Sequence, residues 1–142
     1  MSEIITDKLT GKTSAGDVTI TSEGGAATMQ LQQGVAKAWF NLNAATPALR
    51  DSFNITSITD EGIGIYEGNF GSAMGNGDYS ANGSSSVKGS ANSYSNIFTT
   101  GDADNTYGLH STAGIRGTNY SYNASALSDP HMMQVSVHGD LA

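Results

Sequence analysis

The 142-residue chain has no cysteine, two prolines and six basic side chains, and charged residues make up 13% of it, against about 25% in an average soluble domain. Each shortage excludes something. Without cysteine there is no disulfide framework, no thiolate zinc site, no iron–sulfur cluster and no cysteine nucleophile. Six scattered cations against 13 acids, a net charge of −7, leave no basic stripe to neutralise phosphates, so nucleic acid is not an expected partner. No apolar run exceeds four residues, far short of the roughly 20 that span a bilayer, so no membrane insertion is expected. The opening MSEIITDK is acidic and lacks an apolar stretch. The expectation is therefore synthesis in a cytoplasm without a signal peptide.

What is abundant is equally telling. Gly, Ser, Thr and Asn supply 61 of the 142 residues, whereas Glu, Lys and Leu number four, four and seven. Such a composition suits turns and short strands and starves helices. The large apolar side chains number 31, a thin supply for one core. That shortage leads to the expectation that partner subunits add stability.

Alternating apolar and polar residues bounded by Gly and Asn predict strands at about 17–22 and 27–33, forming an extended arm or small hairpin over residues 1–34. VAKAWFNLN at 35–43 is the strongest strand, with Ala36, Ala38, Phe40 and Leu42 on one face and Val35, Lys37, Trp39 and Asn41 on the other. A lone Trp39 on that second face implies a cover, from a neighbouring subunit or from a second sheet of the same chain. The candidate interface residues are thus Trp39, Val35, Met29 and Leu31. A strand with a bulge at Ser57, a turn at 60–64 and a returning strand at 65–70 follow. Short strands are predicted at 78–82, 94–99, 107–111 and 119–124, with a loop at 83–92 and a turn at Gly114–Gly117. MMQVSVHG closes the pattern as a terminal strand. The best helical stretch, 46–52, covers barely two turns. Together these runs predict an all-β fold: an antiparallel, Greek-key-like β-sandwich head over 35–142 carrying the 1–34 arm.

No catalytic constellation emerges. His110, His131 and His138 have no i+4 partner, no GxSxG elbow is present, and Asp60 and Glu61 share one turn rather than facing across a cleft. Asp102, Asp104 and Asn105 cluster, but the twelfth position counted from Asp102 is Ala113, where an EF-hand needs Glu. A solvated turn is expected there, with an oxygen-only calcium loop as its alternative. No cofactor or metal is assigned. Tyr94, Tyr107, Tyr120 and Tyr122 lie in a Ser/Asn/Gly-rich half, the mixture that binding loops use. They are candidate receptor contacts, or strand residues that edge the core.

The segments LQQGVAKAWFNLN, LRDSFNITSITDEGIGIYEGNF and VSVHGDLA resemble a group of bacteriophage virion proteins, mainly tail-fibre-like proteins of phages of marine bacteria. The likeness rests on Lys37-Ala38-Trp39, on Arg50, Ser52, Phe53 and Asn54, on Ser57 to Asp60 with Gly62, Gly64 and Tyr66, and on Gly139 to Ala142. It implies a non-enzymatic, homotrimeric virion module that attaches multivalently to a host surface glycan. Its other partners would be virion proteins of the tail or, as a decoration protein, of the capsid. A glycan depolymerase is the enzymatic alternative.

Overall fold

The structure is a computed structural model; it describes residues 3–12, 18–21, 24–25, 27–86, 110–121, 125–139 and 141, and the backbone of 96–100. Its contacts divide the chain into two units, Met1–Val35 and Ala36–Ala142.

In the first unit β1 (Thr19–Thr21) and β2 (Thr28–Gln30) pair antiparallel, with Ile20 opposite Met29. The predicted strand 27–33 stops at Gln30, where a single helical turn, α1 (Leu31–Gly34), begins and the Leu31 N–H donates to the Val18 carbonyl at 2.7 Å. None of the described residues of this unit is buried, and Ile4 and Ile5 are almost fully exposed. The hairpin has no core of its own.

The second unit is all-β and antiparallel. One sheet has the order β4-β3-β11-β7, from β3 (Ala38–Asn43), β4 (Ala48–Phe53), β7 (Ser80–Ser86) and β11 (Met132–His138). The other runs β10-β9-β6-β5 with β8 also on β9, from β5 (Ile55–Gly62), β6 (Ile65–Phe70), β8 (Asn96–Thr100), β9 (Gly114–Ser121) and β10 (Ala126–Leu127). Alternation decides the faces. Ala38, Phe40 and Leu42 of β3 and Met133, Val135 and Val137 of β11 point inward and meet Tyr66 and Phe70 of β6 and Ile115 of β9. The interior is closed within one chain, between its own two sheets.

Three local devices hold the sheets together. Gly68 faces Phe40, and a Cβ added there would lie 2.9 Å from the Phe40 ring, so a side chain there would force the ring or β6 to shift. Asn119, fully buried, accepts from the Ser85 hydroxyl at 2.6 Å, while its Nδ2 donates to the Ser128 carbonyl at 2.6 Å. Asn54, at φ 56, carries the chain from β4 in one sheet to β5 in the other. There its Oδ1 accepts from the Ser72 N–H and its Nδ2 donates to the carbonyls of Lys37 and Ser72. Asn tolerates this left-handed backbone because its short amide bonds locally.

Tyr66 and Tyr79 close the remaining gaps. The Tyr66 hydroxyl reaches the Ala44 carbonyl and Asp129, each at 3.3 Å. Tyr79 donates to the carbonyls of Gly114 and Ser111, stands edge-on to Phe70 and stacks on His110 at 4.4 Å.

Several sequence expectations are corrected. The stretch 46–52, the best helical candidate in a chain without a long helical period, holds no helix, and Ala48–Phe53 is strand because it pairs with β3. The predicted turn at Gly114–Gly117 lies inside β9. Gly114 is there for close approach: a Cβ would fall 2.9 Å from Glu67 Oε1 and 3.0 Å from the Gly68 carbonyl. Residues 83–86 of the predicted loop belong to β7, held by β11, while 87–92 lie outside the described residues. The turn placed at 60–64 is tighter, at Ile63-Gly64, with Gly64 at φ 72. The bulge expected at Ser57 is present as a register shift between Ile55 and Ser57.

Two outcomes follow from this packing. Gly68→Ala forces Phe40 or β6 to move and costs about 1–3 kcal/mol by urea denaturation. Burial raises the phenols of both tyrosines, Tyr66 well above the ordinary range with the Asp129 charge adding, and Tyr79 to about 12 with Glu67 adding. Unfolded tyrosines ionise near 10, so above that pH the unfolded chain releases protons that the folded one keeps. Stability measured by urea titration is expected to fall as pH rises from about 10 toward 12, with a shallower fall in Tyr79→Phe.

Candidate functional site

The inward face of β3 is spent on the core, so its other face is where a function can sit. Register builds that outer face in rows. Trp39 lies opposite Phe53 of β4 and Ser136 of β11, and Ser136 lies opposite Asn82 of β7. In the next row Asn41 lies opposite Asp51 and Gln134, and Gln134 opposite Ser84. Side chains directly opposite share a face, which sets Trp39 and Phe53 among amides, hydroxyls and the Asp51 carboxylate.

These rows shape an open groove of about 440 Å³ that runs over Trp39, Asn41, Gln134, Ser136, Asn82 and Ser84. Among the described residues no charged side chain lines it. Trp39 is half-buried, Asn82 and Ser84 are exposed, and Phe53, at 52% exposure, extends the apolar surface toward the β4 edge. Next to Gln134, Met132 Sδ takes hydrogen bonds from the Arg50 guanidinium and from Gln134 Nε2, both at 3.4 Å. Beneath the surface, Oδ1 of Asn41 and of Asn43 is buried without a hydrogen-bond partner. Such an acceptor costs about 1–3 kcal/mol while it stays unpaired.

The outer face of the second sheet differs in kind. Arg116 pairs with Glu67 at 3.2 Å, and Asn69 Nδ2 donates to Ser57 and Thr59. Its polar groups already have one another. Among the described residues no group of three or more His, Asp or Glu side chains is placed to hold a metal ion.

The structure distributes the other sequence candidates widely. Val35 and Met29 are half-exposed and Leu31 is half-buried, all three in the Met1–Val35 unit, whereas Trp39 is in the other. Tyr120 is half-buried on β9, opposite Ile97 and Leu127. Tyr94, Tyr107 and Tyr122 lie outside the described residues, as do Asp102, Asp104 and Asn105. Sequence reasoning reached Trp39 and Asn41 through their alternation on β3. It missed Gln134, Ser136, Asn82 and Ser84, because only the pairing of β11 with both β3 and β7 sets them beside the tryptophan.

Several residues that carry the motif likeness have structural roles: Asn54 turns the strand corner, Gly64 fits under the Asn119 and Ser128 carbonyls, and Tyr66 ties the sheets, whereas Trp39 lines the groove. No family model matches the chain, and no curated protein matches it. A solved structure does. The chain is similar in fold to part of a phage tailspike. That structure is the phiAB6 tailspike in complex with three-repeated oligosaccharides of Acinetobacter baumannii surface polysaccharide, with a TM-score of 0.54 and 13% identity. The match covers 96% of this chain and 30% of that tailspike. At such identity the likeness is one of fold.

If Trp39 belongs to the outer face, removing it spares the core. Trp39→Ala is expected to cost less than about 1.5 kcal/mol in urea denaturation, against about 3–5 kcal/mol for the inward Phe40→Ala next to it.

Proposed function

We propose that this chain is a non-enzymatic structural module of a phage virion, associated with the tail, that attaches the particle to a glycan on the host surface. The observation that carries this reading is the tailspike fold shared over 96% of the chain. That tailspike is in complex with surface polysaccharide oligosaccharides, which supports glycan as the ligand class here and favours the tail over capsid decoration. The reading favours binding over cleavage: glycoside hydrolysis needs a pair of carboxyl groups across the bond, and among the described residues none lines the groove.

Attachment of this kind works through copy number. A homotrimer on a particle holds several weak sites at high effective concentration, and avidity can exceed a single affinity by about 10²–10⁴. The coreless hairpin of Met1–Val35, with Ile4, Ile5 and Leu9 exposed, is suited to be the arm that docks on other virion proteins. Of the interface candidates Trp39, Val35, Met29 and Leu31, this reading keeps Met29, Leu31 and Val35 as subunit contacts and leaves Trp39 to the groove.

Antibody raised against the full chain, applied to particles released from cells that express it, is expected to label the tail in electron micrographs. Label on the capsid, or on no particle, contradicts the reading. Purified protein incubated with the surface polysaccharide of those cells is expected to bind it and release no reducing ends; their release overturns the non-enzymatic assignment.

A further inference from the structure

We propose that the groove over Trp39 is the glycan site itself, and that it takes a neutral chain, one sugar ring lying on the indole while Gln134, Asn82, Ser84 and Ser136 bond its hydroxyls. The proposal rests on the attachment reading above and gives it a place on the molecule.

A neutral pyranose has two kinds of surface, an apolar face of C–H groups and a rim of hydroxyls that both donate and accept. The site that matches it is a flat aromatic ring beside groups of the same dual character. Carboxamides and hydroxyls have that character, and aromatics offer a large rigid surface. Trp39 with its row neighbours Ser136 and Asn82, and the Gln134 and Ser84 row beside it, form that combination on a rigid four-stranded sheet. Alternate residues on one face of a strand stand about 7 Å apart, so the second row meets the rim of a ring centred on the first. The volume of about 440 Å³ is that of a small-ligand site. Asn41 also lines the groove, and its amide oxygen is buried without a hydrogen-bond partner.

Two other occupants fit less well. A second copy of the chain would bury this face, with its amides and hydroxyls, against protein, where each polar group needs a partner. Five of the six side chains named above are of that kind. A polyanionic glycan would approach a chain of net charge −7 over a groove without a lining cation.

The chain holds a single tryptophan, so its fluorescence reports on this groove alone. The full chain is titrated with neutral gluco-, manno- and galacto-oligosaccharides and with an alginate oligosaccharide as the anionic comparison. At least one neutral series is expected to shift the emission saturably and to reduce acrylamide quenching, with no response to alginate. By calorimetry, Trp39→Ala weakens that binding about tenfold or more, Trp39→Phe restores most of it, and Gln134→Ala weakens it about threefold or more while the tryptophan stays. The proposal is overturned if no neutral series moves the emission, if alginate binds equally well, or if dilution of the protein alone shifts the emission, which would make a second copy the occupant. It is also overturned if a neutral glycan binds by calorimetry with equal affinity to the wild type and to Trp39→Ala. That last result would leave the attachment reading standing with its site elsewhere, whereas a tail without antibody label would remove the reading itself.

Discussion

The seating of Phe40 on Gly68 is the contact on which the rest depends. It brings β3 against β6 at the distance a bare backbone allows, and with Leu42, Met133, Val135 and Val137 it encloses an interior that two sheets of one chain share. Strand alternation does the rest: once Phe40 points inward, Trp39 and Asn41 point outward, and the register with β11 and β7 lays amides and hydroxyls beside the indole. Core and groove are the two faces of a single strand.

A chain with few large apolar side chains has to use them economically. Interior positions that lack one are taken by polar groups with fixed partners, as Asn119 does with Ser85 and Ser128, or by phenols whose hydroxyls reach carbonyls, as Tyr66 and Tyr79 do. Buried polar groups are tolerated when they are hydrogen-bonded and specify one arrangement when they are. Such ties also make the fold sensitive to alkali, because they rest on neutral phenols. The outer-face amides of Asn41 and Asn43 break the pattern by lacking partners for Oδ1, which sets that face apart from the satisfied Glu67–Arg116 and Asn69 network opposite.

Much of the fold was legible in the sequence. The all-β class followed from composition, and β3, β5, β6 and β11 followed from alternation, because a half-buried strand leaves a period of two wherever its core residues are large. The errors came where glycine and small residues carry two meanings. Gly114 and Gly117 read as a turn, yet they lie within β9 where backbones crowd, and a Ser/Gly run read as a loop, yet it pairs with β11 as far as Ser86. Of the groove, only the β3 residues were visible beforehand; the remainder depends on pairing between strands some 50 to 95 residues apart, which no local pattern encodes. The tyrosines chosen for their composition are a separate matter, since all but Tyr120 lie outside the described residues.

The central claim is that the interior of Ala36–Ala142 is complete within one chain, with β3 and β11 at its centre. Native-state hydrogen exchange at several protein concentrations tests it most directly. The account predicts that the ladder amides of β3 and β11 are the slowest to exchange, that they open only with global unfolding, and that their rates are the same at every dilution at which the chain sediments singly. Amides of Phe40 and Val135 that exchange as fast as the loops, or that gain protection only as concentration rises, would contradict it.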